Sequence, residues 1–248
     1  MDQSITLVGY GEAGRTFARA AGWQSRAHVF DSNYAISVVT ADQALVVAQD
    51  VATTIASGTL FFDMNSVAPD TKRAAADAIE AAGGHYIDAA IMSPVDPAGI
   101  AVPLLISGPH CEDGMEALSA LGFTNVRIVG ENVGRASTIK MLRSVMYKGV
   151  EALTAECLIA CEKAGVIDEV LGSFNNDWSA QADYRLDRML VHGTRRSAEM
   201  AEAVKTLEML GVEPDLTRAT VARQAALGEL GLNPPPDGLN AKLKALAQ

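Results

Sequence analysis

Gly9-Tyr10-Gly11-Glu12-Ala13-Gly14 follows the apolar run Ile5-Thr6-Leu7-Val8 and leads into Arg15-Thr16-Phe17-Ala18-Arg19-Ala20-Ala21. A Gly-x-Gly-x-x-Gly hexapeptide alone arises by chance. One that closes a strand and opens a helix is what a dinucleotide-binding βα turn requires. Gly9 makes the tight turn, Gly11 leaves the backbone open to a pyrophosphate, and Gly14 lets helix and strand pack closely. The helix start, with Glu12 and Ala13 in its first turn, offers free N–H groups and a positive dipole end to phosphates. The competing reading is an ordinary βα turn that binds nothing.

The first half alternates strand and helix patterns. Strands are predicted at Ile5–Val8, Ala27–Phe30, Ala35–Val39, Thr59–Asp63, His85–Ile91, Leu104–Gly108 and Val126–Val129. Helices are predicted over 12–22, 41–56, 69–82 and 111–121. Such alternation builds a largely parallel sheet covered on both faces. The pattern changes near Gly130. From Val133 to Ala164 there is no proline, and apolar residues recur at helical spacing through Leu142, Val145, Met146, Val150, Leu153, Cys157 and Ala160. Further helices are read at 167–175, 178–191, 194–210 and 216–230, with a short one toward Gln248. The expected architecture is an α/β Rossmann-type doubly wound domain over 1–132, then an all-α domain over 133–248 that begins with a long interdomain helix.

The formal net charge of −10 argues against nucleic acid and anionic membrane surfaces, which both call for basic patches. No apolar run approaches the roughly 18–20 residues of a membrane span. The first strand begins at once, without room for a signal peptide. Cys111, Cys157 and Cys161, odd in number, read as reduced thiols of a cytoplasmic protein. His28, His85 and His110 lack metal-ligand spacing, and no metal is expected.

Asp31 stands 20 residues after Gly11 at the end of a predicted strand. An acidic side chain there accepts hydrogen bonds from adenosine ribose hydroxyls and repels an extra phosphate, favouring NAD slightly over NADP; it is also a common turn former. Lys140 lies on the long helix, with Arg143, Ser144 and Tyr147 at helical spacing. A lysine in an interdomain cleft can lose water and exchange protons near neutral pH, whereas on an exposed stripe it is simply solvated. His192, Arg195 and Arg196 form a basic cluster, read either as a contact for an anionic substrate or as a solvated helix start with salt bridges.

Three stretches, in order, resemble the β-hydroxyacid dehydrogenase superfamily, which includes 3-hydroxyisobutyrate and 6-phosphogluconate dehydrogenases. They are Gly9–Gly14, then Asp63-Met64-Asn65-Ser66-Val67-Ala68-Pro69, then Gly134 through Ser144. The resemblance extends over nearly the whole chain and is nearest to a 6-phosphogluconate dehydrogenase-like subgroup of poorly defined substrate. It implies a small anionic hydroxy-acid substrate, NAD or NADP as cofactor, and a homodimer. It makes Lys140 the general acid/base, puts Asn65 and Ser66 near nicotinamide and substrate, and lines the cofactor cleft with Val39 and Thr40. Met92-Ser93-Pro94 takes the place of the family's Ser-Gly-Gly substrate loop and so loses one N–H at the proline. Ser144 replaces the family's asparagine beside the lysine, and Arg143 could clamp a carboxylate. An imine reductase of the same layout and a catalytically silent nucleotide-binding protein are the alternatives.

One spacing is anomalous. Only Ser32, Asn33, Tyr34 and at most Ala35 separate Asp31 from the next predicted strand, whereas a parallel crossover needs about a dozen residues. Either the sheet is rearranged here, or the polypeptide is longer than 26.1 kDa by about one helix-plus-strand crossover.

Overall fold

The computed structural model describes residues 5–23, 32–174 and 177–247. They form two compact units, Met1–Leu142 and Arg143–Gln248, and the dividing point falls inside a single long helix.

The first unit holds a six-stranded sheet: β1 (Ile5–Val8), β2 (Tyr34–Ser37), β3 (Leu60–Asp63), β4 (His85–Ile91), β5 (Leu104–Ser107) and β6 (Val126–Gly130). The strands lie in chain order, and every neighbouring pair is parallel except β4 with β5. Four helices cover it: α1 (Glu12–Ala21), α2 (Ala44–Ala52), α3 (Pro69–Ala81) and α4 (Cys111–Ala120). The strands alternate between two buried faces, as a sheet covered on both sides must. Ile36, Phe62 and Ile87 pack with Phe17 of α1 and Leu118 of α4. Ala35, Phe61 and Tyr86 pack with Ala48 and Val51 of α2 and Ala75, Ala76 and Ile79 of α3. The doubly wound reading therefore holds.

β2 pairs directly with β1, and residues 9–33, including α1, connect them. That connection exceeds the dozen residues a parallel crossover needs. The predicted strand at 27–30 and Asp31 lie outside the described residues.

The long helix α5 (Arg135–Ala164) runs from the first unit into the second. It is followed by α6 (Ile167–Gly172), α7 (Trp178–Met209), α8 (Asp215–Gly228) and α9 (Leu239–Leu246). The second unit's core joins Ala155 and Leu158 of α5 to Leu186, Met189 and Leu190 of α7, Leu227 of α8 and Leu243 of α9. The sequence reading split 178–210 into two helices at His192-Gly193; the structure has one continuous helix there. Gly193 is not a stop. A Cβ on it would lie 2.3 Å from the Gln224 carbonyl oxygen and 2.7 Å from the Gly228 nitrogen. The glycine lets α7 and α8 touch backbone to backbone, which outweighs its poor helix propensity.

Among the described residues no helix is long and apolar enough to cross a membrane. All three cysteines are free thiols, with Cys111 and Cys161 buried.

Candidate active site

The in-register row Val8, Ser37, Asp63, Asp88 crosses β1 to β4, and antiparallel pairing adds Ser107 of β5. This row ends the described strands β1, β2 and β3, at the carboxyl edge where open α/β sheets bind their ligands.

At one side the glycine turn meets the β2 end. A Cβ on Gly9, whose φ is +100°, would lie 2.6 Å from the Val38 carbonyl oxygen and 2.8 Å from the Val39 Cγ1. A Cβ on Gly14 would lie 2.4 Å from the Gly9 carbonyl oxygen. Gly11, which begins α1, is different: among the described residues beyond its chain neighbours, nothing stands within 4 Å of where its Cβ would be. Two glycines thus serve packing, and the third leaves open space at a helix N-terminus. A phosphate fits such a place, because first-turn N–H groups and the helix dipole are available there. Glu12 and Ala13 occupy that first turn, Glu12 exposed.

Asn65 locks the neighbouring strand ends together. Its Oδ1 accepts from the Val39 N–H at 2.7 Å, and its Nδ2 donates to Ser37 Oγ at 2.9 Å. Its own N–H donates to Asp63 Oδ1 at 2.9 Å. Thr40 is exposed and precedes a short 3-10 turn at Ala41–Gln43, while Ser66 is half-buried beside Asn65. The structure therefore brings Gly9, Gly14, Val39 and Asn65 together.

A second cluster forms around the start of α5. Met92 donates its N–H to the Pro103 carbonyl at 2.9 Å and packs with Ala136 and Ile139 of α5. Ser93 Oγ donates to the Pro94 carbonyl at 3.4 Å, and Pro94 is exposed. Lys140, the residue after Ile139, is half-buried. One turn further, in the second unit, Ser144 is buried, whereas Arg143 is exposed with its guanidinium 4.1 Å from the Tyr147 ring centroid. The polar stripe thus divides between a buried and an exposed side.

Between the two clusters lies a group of buried ions that the sequence reading missed. Lys72 of α3 is fully buried, its Nζ 3.0 Å from Asp63 Oδ1 and 3.4 Å from Asp88 Oδ1. Tyr86 donates to Asp63 Oδ2 at 2.6 Å. Burial first, then Asp63 and Asp88, push the Tyr86 phenol well above its ordinary pKa. Burial, Asp88 and Glu112 push the Cys111 thiol up to about 12. A signal existed: Lys72, Ala75, Ala76 and Ile79 share one helical face, which is the buried face of α3.

The basic cluster of α7 is placed otherwise than expected. His192, Arg195 and Arg196 sit in mid-helix, not at a helix start. Arg196 is buried and paired with Glu151, to which Gln224 Nε2 also donates at 3.0 Å. Arg195 and Lys148 both reach Glu199 at 2.7 Å. Burial lowers the Lys148 pKa, against the opposing pull of Glu199.

Comparison with known proteins follows this geometry. A conserved hypothetical protein from Sinorhizobium meliloti 1021 is 33% identical, with a TM-score of 0.74 over 100% of this chain and 96% of that one. A conserved protein of unknown function, described as structurally similar to 3-hydroxyacid dehydrogenases, is 28% identical, with a TM-score of 0.70 over 91% of this chain and 97% of that one. The chain is thus similar in fold to proteins that resemble the 3-hydroxyacid dehydrogenases. The fold is shared with a 3-hydroxyisobutyrate dehydrogenase from Salmonella typhimurium, at 16% identity and a TM-score of 0.74 over 99% and 100% of the two chains. An imine reductase from Streptomyces aurantiacus has a TM-score of 0.53 at 17% identity, over 99% and 100% of the two chains. An uncharacterized 28.5 kDa protein of Methanothermus fervidus is 27% identical over 196 residues, 77% of this chain and 74% of that protein. A family model for a domain of unknown function, DUF1932, matches residues 162–227.

Proposed function

We propose that the protein is an NAD(P)-dependent oxidoreductase that moves hydride between nicotinamide and a small β-hydroxy acid, with Lys140 as general acid/base. The observation that carries this reading is the Gly9–Gly14 turn, packed on Val38 and Val39 and held by Asn65, with open space above Gly11. The donor set fits a dinucleotide: backbone N–H groups at the start of α1 for its phosphates, and the strand ends at Val39, Thr40, Asn65 and Ser66 for the rest. When bound, the nicotinamide supplies the hydride acceptor or donor.

The chain's own residues do the remainder. In the oxidative direction Lys140 Nζ takes the proton of the substrate hydroxyl, so that no alkoxide has to form in water; in reduction it returns that proton. Ser144, a turn away, donates a hydrogen bond to the substrate. Met92, Ser93 and Pro94 shape the substrate side, and Arg143 answers a carboxylate. Small hydroxy acids are the substrate class because the Lys140 amine and the Arg143 guanidinium then meet a hydroxyl and a carboxylate.

The test is absorbance at the reduced-nicotinamide band against a panel of β-hydroxy acids, the matching oxo acids and cyclic imines. Turnover of an acid is expected, with Lys140→Ala lowering it by about 10²–10⁴-fold at nearly unchanged cofactor affinity. A Lys140→Ala protein within a few-fold of wild type would remove the assignment. Turnover of imines alone would move the protein to the reductase reading, and cofactor binding without any turnover to the silent one.

A further inference from the structure

We infer that Lys72 is a positioning residue: its buried ammonium holds the Asp63 and Asp88 carboxylates, and through them fixes Asn65 at one side of the site and the start of α5, which carries Lys140, at the other. The activity part of this inference rests on the proposed function; the structural part does not.

Each link is a short polar contact in a place without water. Lys72, Asp63 and Asp88 are 0%, 1% and 0% exposed. The ammonium donates to the Asp63 carbonyl oxygen at 2.5 Å and lies 3.0 Å and 3.4 Å from the two carboxylates. The Asp63 side chain is spent on Asn65 N–H and the Tyr86 hydroxyl. Asp88 Oδ2 takes four donors: Ser107 Oγ at 3.0 Å, the Gly134 and Ser137 N–H groups at 3.1 Å each, and Ser137 Oγ at 3.2 Å.

That last contact set is a helix cap built from a strand. A helix start leaves its first N–H groups without intrahelical partners. An anion placed there is favoured by the dipole as well as by the hydrogen bonds. Here the anion comes from β4, so the start of α5 is tied to the sheet. Lys140 lies six residues after Gly134, about 9 Å along the helix axis. Four donors drawn onto one oxygen suit an acceptor that carries negative charge. A buried carboxylate keeps that charge only beside a cation. Asp88 Oδ1 accepts no hydrogen bond, so its counter-charge is the ammonium 3.4 Å away. Three charges thus share one pocket with a net charge of −1. Without Lys72, two carboxylates would share the pocket with no counter-charge.

Lys72→Met keeps the unbranched stem and removes the charge. In the full-length protein, amide hydrogen exchange at Gly134 and Ser137 should quicken by about tenfold or more, as expected for losing charge-assisted hydrogen bonds. Amides of β1 to β3 should stay within about twofold. Dinucleotide affinity should weaken less than turnover, which falls about 10–100-fold, since a group displaced by about 1 Å loses rate on that scale. The double variant Lys72→Met/Asp88→Asn restores the net charge of −1 and keeps an acceptor oxygen. It should be intermediate, with exchange at Gly134 and Ser137 a few-fold faster than wild type and part of the turnover recovered. If the single variant does not fold, the double variant carries the test. Wild-type exchange at Gly134 and Ser137 in a folded variant overturns the inference. So does quickening spread evenly over the sheet, which would make Lys72 a general stabiliser. If wild-type protein turns over no acid, the proposed reaction fails, while exchange at the α5 start still decides whether Lys72 holds that helix.

Discussion

The two units bury ions and bring backbones together by opposite designs. In the sheet unit, Lys72, Asp63 and Asp88 reach backbone groups at strand ends and a helix start as well as the Tyr86, Ser107 and Ser137 hydroxyls. In the helical unit, Glu151 with Arg196 and Glu199 with Lys148 join side chains across the facing helices α5 and α7. The first arrangement holds chain ends still at the edge where ligands bind. The second sets helices in register and leaves their backbones to the helical ladder. The glycines follow the same division. Gly9 and Gly14 pack the turn while Gly11 faces open space; Gly193 and Gly228 fill against each other. Backbone donors and open space at the glycine turn suit a ligand, whereas the Gly193–Gly228 contact serves packing alone.

The largest effect should come from filling the helical contact. Gly193→Val puts carbon against the Gln224 carbonyl and the Gly228 backbone, with no flexible side chain to give way. We expect the second unit to lose about 3 kcal/mol or more in denaturant unfolding, at the upper end of overpacking costs and beyond the helix propensity regained. A loss below about 1 kcal/mol would mean that α7 and α8 are not in backbone contact.

A smaller effect sharpens the comparison through pH. Cys111 is held at about 12 against an ordinary 9.0. Between those values the unfolded chain has released the thiol proton and the folded chain has kept it. Stability therefore falls as pH rises above about 9, by up to about 1.4 kcal/mol per pH unit. Lys148 acts with the reverse sign. Its folded pKa lies below the ordinary 10.5, so raising the pH toward 10.5 removes a proton from the folded state first and adds stability. Unfolding measured from pH 8 to 10.5 should show a shallower decline in Cys111→Ala and a steeper one in Lys148→Met. The opposite order would contradict the assigned causes. Trp23 and Trp178, one in each unit, allow the two to be followed separately.

Much of this was legible in the sequence. Strand β4 falls on its predicted bounds, and the other described strands lie within a residue or two of theirs, because buried parallel strands read as short apolar runs between turn residues. The glycine turn was legible because each glycine answers a local backbone demand. Two things were not. Gly193 reads as a helix end, since its reason lies in Gln224 and Gly228, thirty residues away. Lys72 reads as a solvated charge on an Ala-rich helix, since its partners come from two other strands. Its place on the buried stripe was visible, as were the aspartates set in the apolar runs Phe61-Phe62-Asp63 and Ile87-Asp88-Ala89. Neither alone demands the other; only the row across the sheet joins them.

The central claim, that the Gly9–Gly14 turn is a dinucleotide site, is tested most directly by calorimetric titration of NADH and NADPH into wild-type protein and Gly11→Val. Among the described residues beyond its chain neighbours, no atom lies within 4 Å of the Gly11 Cβ position, so the substitution should leave the melting temperature nearly unchanged. Wild type should bind at least one of the two dinucleotides, and Gly11→Val should lose that binding because its side chain fills the space a pyrophosphate needs. Equal affinity in the two proteins, or no binding of either dinucleotide to wild type, would contradict the account.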